Sequence, residues 1–182
     1  MEHVWKWVSC DGGPLIVMEK RLLPFWEGSG APSNGRIVEA ESRWGLGIAT
    51  DYDRSCDIAD WSGLIEVGDG LGLVLSIENH STTWIPATGD TVGTLVEWGF
   101  ADSESDILEE LRQLTVGVDI EGPKIWEIES GSVVLFAAAE SGLEPIYQRL
   151  EFELVPGRYR ILSGERKTDH TFIIGHQFKV KK

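Results

Sequence analysis

WSGLIEVGDGLGLVLSIENHSTTWIP, residues 61–86, is the stretch that decides the fold class. Beyond Gly68-Asp69-Gly70 its leucine and isoleucine residues recur at every second position, which is the period of a β-strand with one buried face. Both glycines can adopt the backbone angles of a tight turn, and Asp69 tolerates a turn position. The sequence therefore predicts two strands joined at residues 68–70. A phosphate-binding glycine loop would need a helix at this point, and a strand pattern follows instead.

Further strands are predicted where short apolar runs lie between turn residues. These runs are residues 3–8, 15–18, 91–100, 125–128, 132–137, 149–155, 158–162 and 171–179. The first two flank a turn that contains Gly12, Gly13 and Pro14, so they predict an N-terminal hairpin. Residues 20–26 favour one helical turn, and residues 51–57 a loop or short helix.

One segment has the helical period instead. Asp102 and Ser103 offer an N-cap, acidic residues follow in the first turn, and apolar residues recur at helical spacing up to Leu114. We predict an amphipathic helix near residues 103–115. The fold class is thus mainly β (α+β), with antiparallel sheets in two abutting halves, 1–120 and 121–182. The proposed boundary lies in the glycine-containing segment 117–124.

The overall composition is that of an ordinary globular protein, with 42% hydrophobic and 25% charged residues in a chain of 182. No apolar run approaches the roughly 20 residues that cross a bilayer, and the N-terminus lacks the order of segments in a signal peptide. We therefore expect a cytoplasmic protein. Two cysteines, Cys10 and Cys56, are too few for a metal knuckle or a disulfide framework and are expected to be reduced.

The negative charge is concentrated in the middle of the chain. The formal net charge is −14, and residues 61–123 contain twelve acidic residues but only one basic residue, Arg112. Such a field repels nucleic acid and anionic lipid and attracts basic partners. Solubility alone is the competing explanation of the charge.

Local motifs give no support for catalysis or for a cofactor. The sequence has no G-x-S-x-G motif, and neither cysteine precedes a helix N-terminus that would lower its pKa. Residues 51–62 resemble a calcium loop, but Cys56 replaces the required glycine and Ser62 the required glutamate. His170 and His176 are spaced to share a strand face, yet no third zinc ligand is placed beside them. No catalytic residue, metal or cofactor is predicted.

Eight tryptophans are many for this length. Tryptophan supplies a large rigid contact area in cores and in interfaces. Most are assigned to the core of a sheet protein. Trp84 follows the polar residues 79–83 and is therefore the one predicted to anchor a partner.

Several of these motifs, taken in order, resemble the immunity protein 21 family of bacterial polymorphic-toxin systems. They are WVSCDGGPLI at residues 7–16, DYDRSC at 51–56, VGDG at 67–70 with LVL at 73–75, and TTW at 82–84. The resemblance covers roughly residues 5 to 100. It implies a mainly β cytosolic protein that binds and neutralises a cognate toxin encoded beside it, and it supplies no catalytic residues.

The function predicted from these observations is stoichiometric occlusion of a toxin domain that has a basic surface, with no nucleic-acid or membrane partner. Five carboxylates are predicted to attract this partner, with Trp84 as an anchor: Asp102, Glu104, Asp106, Glu109 and Glu110. A small-molecule or carbohydrate-binding β protein, an enzyme whose site is assembled only in the fold, and a structural module remain as alternatives. An aromatic-lined cleft with convergent polar groups would favour the first two. The sequence does not set the oligomeric state.

Overall fold

A computed structural model describes residues 5–10, 12–30, 49–75, 80–87, 91–116, 124–144 and 146–181. The strands are β1 Leu15–Glu19, β2 Ser62–Val67, β3 Gly70–Leu75, β4 Ser81–Pro86, β5 Gly93–Phe100, β6 Lys124–Ile128, β7 Ser132–Ala137, β8 Arg149–Glu153, β9 Gly157–Lys167 and β10 Phe172–Val180. The helices are α1 Asp51–Cys56, α2 Glu104–Arg112 and a 3₁₀ helix, Lys20–Phe25. The prediction of a mainly β fold with a helix after residue 103 is confirmed.

The described strands form two antiparallel five-stranded sheets. Sheet I has the order β2-β3-β1-β7-β8, and sheet II has the order β4-β5-β10-β9-β6. Each sheet combines strands from both sides of the proposed boundary segment 117–124, of which residues 117–123 lie outside the described residues. Segments 1–120 and 121–182 therefore both contribute strands to each sheet. The reason is that inner strands need hydrogen-bond partners on both edges, and β1 takes β3 on one side and β7 on the other.

The central hairpin is confirmed, whereas the N-terminal hairpin is wrong. Strands β2 and β3 pair up to Val67 and Gly70, and Gly68 adopts a positive φ of 58° in the turn. Strand β1 has no free edge for the residues that precede it. Val8 instead exchanges two backbone hydrogen bonds of 2.9 and 2.7 Å with Thr82 of β4, a strand of sheet II that the sequence pattern missed.

A cluster of aromatic rings lies between the two sheets. The ring of Phe178 on β10 is fully buried and lies 5.1 Å from Trp84, 6.0 Å from Trp126 and 6.3 Å from Tyr159. Trp84 in turn stacks on Phe152 of sheet I at 4.4 Å. This cluster joins the sheets through large apolar contacts, which supply most of the favourable free energy of folding.

The outer face of each sheet is also covered. Ile107 and Leu111 of α2 pack on Val96 and Ile173 of sheet II. Leu22 and Trp26, in and just after the 3₁₀ helix, pack on sheet I. Sheet I is therefore apolar on both faces, which explains why all five residues of β1 are buried.

A buried carboxylate at the end of β1 ties two turns to the sheet. Glu19 accepts hydrogen bonds from the backbone N–H groups of Glu129 at 2.9 Å and Ser130 at 2.5 Å, in the turn between β6 and β7. Arg21 binds both Glu19 and Asp69, in the β2–β3 turn. Burial alone would raise the pKa of Glu19, but the hydrogen bonds from Ser130, Glu129 and Arg21 hold this pKa below its ordinary value.

Phe178→Ala is expected to lower the free energy of unfolding by about 3–5 kcal/mol, because it leaves a cavity among three other rings. Val180→Ala on the same strand is the control: this side chain is 60% exposed, and its loss should change stability by no more than about 0.5 kcal/mol. Urea denaturation measures both. Equal effects of the two substitutions would contradict the packing of the sheets described above.

Glu19→Gln is expected to lower the free energy of unfolding by about 1–3 kcal/mol at neutral pH, because a charged acceptor of buried N–H groups is lost. The pKa of Glu19 is lower in the folded state, so its contribution is present above the ordinary pKa and is lost as the pH falls through the folded value. The difference from wild type should therefore shrink below about pH 4.5. Glu153→Gln, an exposed carboxylate, is the control, and a difference that stays constant down to about pH 3 contradicts the assignment.

Candidate interaction surface

Four of the five predicted carboxylates lie on helix α2, which packs on sheet II, and Asp102 lies just before the helix. Ser103 caps the helix: its hydroxyl donates to Asp106 at 2.7 Å and accepts from the Asp106 backbone N–H at 3.3 Å. Ile107 and Leu111 are buried beneath the helix, so the polar side chains face away from the sheet. We call the set Asp102, Glu104, Asp106, Glu109 and Glu110 the acidic helix patch.

Four of these five carboxylates also have partners within the protein. Glu104 accepts a 2.7 Å hydrogen bond from Trp7 Nε1, and Glu110 accepts one of 2.6 Å from Arg166. Glu109 pairs with Arg112 at 2.8 Å, and Asp106 completes the helix cap. Pairs as exposed as Glu109–Arg112 contribute little to stability, so their charges remain available to a partner. Asp102 and Glu109 are the carboxylates of this patch best placed to act on an approaching molecule.

Trp84 occupies the core, in contrast to its predicted place on the surface. Its side chain is 8% exposed and is stacked in the ring cluster between the sheets. The N-terminal segment covers Thr82 and Thr83, two of the polar residues that precede Trp84: Val8 pairs with Thr82, and the Lys6 carbonyl accepts from the Thr83 hydroxyl at 2.8 Å. Trp84 is therefore not part of the surface that a partner can reach.

Trp7 is the aromatic residue beside the acidic helix patch. Its half-buried indole bonds to Glu104 and meets the ring of Trp98 edge-on, with 5.1 Å between the ring centroids. The even spacing of Trp5 and Trp7 was a signal that both lie on one face. What the sequence did not provide was the position of that face against α2.

A serine, a histidine and a glutamate meet in the buried space between the sheets. Ser163 Oγ lies 2.8 Å from Nδ1 of His176, whose Nε2 lies 2.6 Å from Oε1 of Glu97. Ser62 of sheet I reaches the same Ser163 hydroxyl at 3.3 Å. These are the residue types of a hydrolase triad, but Ser163 is 1% exposed, so a substrate cannot reach its hydroxyl in this arrangement. The network instead satisfies buried polar groups across the sheets.

The two histidines that the sequence placed on one face are separated in the structure. His170 is exposed in the turn before β10, and His176 is buried in the network. Within the described ranges, no three His, Cys, Asp or Glu side chains are grouped to hold a metal ion. No disulfide joins Cys10 to Cys56. None of the helices in the described ranges is long and apolar enough to span a bilayer.

A family model, Immunity protein 21, matches residues 6–171 of this chain. The chain belongs to the Immunity protein 21 family. The match carries the earlier resemblance beyond residue 100, so the family pattern includes α2 and the strands up to β9. Comparisons with curated proteins and with solved structures gave no match.

In this member of the Immunity protein 21 family, the Glu97–His176 pair is expected to show strong energetic coupling. Glu97→Leu or His176→Leu alone leaves a buried polar group without its partner and should lower stability by about 3–5 kcal/mol. The double variant removes both groups, so its loss should fall below the sum of the single losses by about 1–3 kcal/mol.

Urea denaturation of the four proteins in this cycle measures the coupling. Glu165→Leu and His170→Leu form a matched control cycle, because both of these side chains are exposed and should behave additively. Additive losses at Glu97 and His176 would show that the network does not act as a unit.

Proposed function

We propose that this protein is an immunity protein that binds a cognate toxin domain and blocks it by occlusion. The family match over residues 6–171 is the observation that carries the proposal. Occlusion requires a stable one-to-one complex over a surface of ordinary interface size, about 800 Å² on each partner. It requires no bond to be made or broken in the toxin.

The charge of the protein supports a partner with a basic surface. The formal net charge is −14, and five of the carboxylates form the acidic helix patch, on and just before the helix that packs on sheet II. Opposite charges on two proteins raise the rate of encounter and fix the orientation of docking. A cleft that binds phosphate groups is one basic surface of this kind.

Co-expression tests the proposal directly. The toxin domain encoded by the neighbouring gene should arrest growth when it is expressed alone, and this protein should restore growth. A purified mixture with a catalytically inactivated toxin domain should form a one-to-one complex in size-exclusion chromatography with light scattering. Failure to restore growth together with failure to form a complex would overturn the proposal.

Asp102→Lys combined with Glu109→Lys is expected to lower the association rate with that toxin domain about tenfold at low salt, because both substitutions reverse exposed charges on the patch. The difference from wild type should shrink as salt is raised, since exposed charges are screened within about 3 Å at 1 M. Stopped-flow or surface plasmon resonance measures the rates.

A matched control carries the same change in total charge elsewhere. Glu127→Lys combined with Glu153→Lys reverses two exposed carboxylates on β6 and β8, away from α2. If this control slows association as much as the α2 variant does, the total charge steers the partner and the acidic helix patch has no special role. A rate that is independent of salt would exclude steering altogether.

A further inference from the structure

The loop 138–148, which connects β7 to β8, exposes two large side chains. Tyr147 is 96% exposed and Leu143 is 60% exposed. We call this segment the Tyr147 loop; its residue 145 lies outside the described residues. Tyrosine is one of the residue types enriched among those that dominate binding between proteins.

The Tyr147 loop is held firmly by the residues around Trp26. The buried indole of Trp26 donates to the Ala138 carbonyl at 3.0 Å, and the Trp26 carbonyl accepts from Gly142 N–H at 2.8 Å. The Tyr147 backbone N–H donates to the Glu140 carboxylate at 2.7 Å. The loop backbone is therefore held at Ala138, Gly142 and Tyr147, which lowers the backbone entropy lost when a partner binds.

Two concave surfaces lie on either side of Tyr147. One, of about 320 Å³, is lined in part by Ser9, Cys10 and Gln148. The other, of about 530 Å³, is lined in part by Glu27, Glu140 and Glu144. The described residues that line the two surfaces include these three glutamates and neither a lysine nor an arginine. A cationic side chain is the group that such a surface fits best.

The Tyr147 loop and the acidic helix patch are linked by the N-terminal segment. Ser9 N–H donates to the Gln148 side chain at 3.2 Å, and Trp7 donates to Glu104 of α2 at 2.7 Å. Trp7 and Ser9 are two residues apart, so their Cα atoms are separated by at most about 7 Å. The N-terminal segment therefore contacts both regions.

We propose that the toxin domain docks across the Tyr147 loop and that one of its arginine or lysine side chains enters the concave surface lined by Glu27, Glu140 and Glu144. The cation lies against the face of the Tyr147 ring, where ring and carboxylates attract it together. An apolar neighbour of that cation packs on Leu143. This inference rests on the proposed function and specifies where the partner binds and what chemistry it presents.

Tyr147→Ala tests the inference against the inactivated toxin domain of the neighbouring gene. The dissociation constant should rise about tenfold or more, chiefly through faster dissociation, as for the loss of an interface anchor. Leu143→Ala and Glu144→Gln should each weaken binding less. Tyr147→Phe retains the ring face and should bind nearly as wild type does. Thermal unfolding should show equal stability for all four variants, because these side chains are exposed.

Val155→Ala is the matched control, since Val155 is 75% exposed but lies at the opposite end of β8 from the Tyr147 loop. If wild type binds the toxin and Tyr147→Ala binds as tightly as Val155→Ala does, this docking surface is overturned and the proposed function stands. If wild type neither binds nor protects, the proposed function fails and the inference fails with it. If wild type binds the toxin and protects against it, and Tyr147→Ala binds more weakly than Val155→Ala does, the result supports both the proposed function and this docking surface.

Discussion

Strand β1 imposes the constraint on which the rest of the structure depends. Its five residues are buried on both faces, and its two edges are hydrogen-bonded to β3 and β7. A strand in that position cannot leave any backbone N–H or C=O group unpaired without a large cost in free energy. The chain must therefore bring β7 back beside its N-terminal region, and the turns held by Glu19 and Arg21 are the local result.

The local sequence pattern predicted most elements and the central hairpin, but it did not predict which strands pair across long distances in the sequence. The period of two around residues 68–70 and the helical spacing after Ser103 act over a few residues, and both elements formed as expected. Strand β7, one of the two partners of β1, lies more than a hundred residues away from it. Nothing in the pattern of residues 3–8 shows that Val8 pairs with Thr82. Long-range pairing is selected by the fit of whole sheets, so the N-terminal hairpin was assigned to the wrong neighbours.

Only part of the candidate interaction surface was predicted from the sequence, because local patterns do not show which segments pack together in the fold. Carboxylates after Ser103 are visible in the sequence because the helical period separates a polar face from an apolar one. Trp84 was misplaced because its polar neighbours are covered by another segment, which only the fold reveals. Tyr147 had no signal at all, since loops have no period and the exposure of a side chain depends on the surrounding structure.

The pairing of Val8 with Thr82 has a consequence for how the protein behaves at high concentration. Strand β4 is at the border of sheet II, where an open strand edge would present backbone groups to any other extended chain. The N-terminal segment occupies part of that edge and so protects the molecule against intermolecular β-pairing and aggregation. A tag or truncation that displaces this segment from β4 would therefore lower the solubility of the protein, even if every binding residue were unchanged.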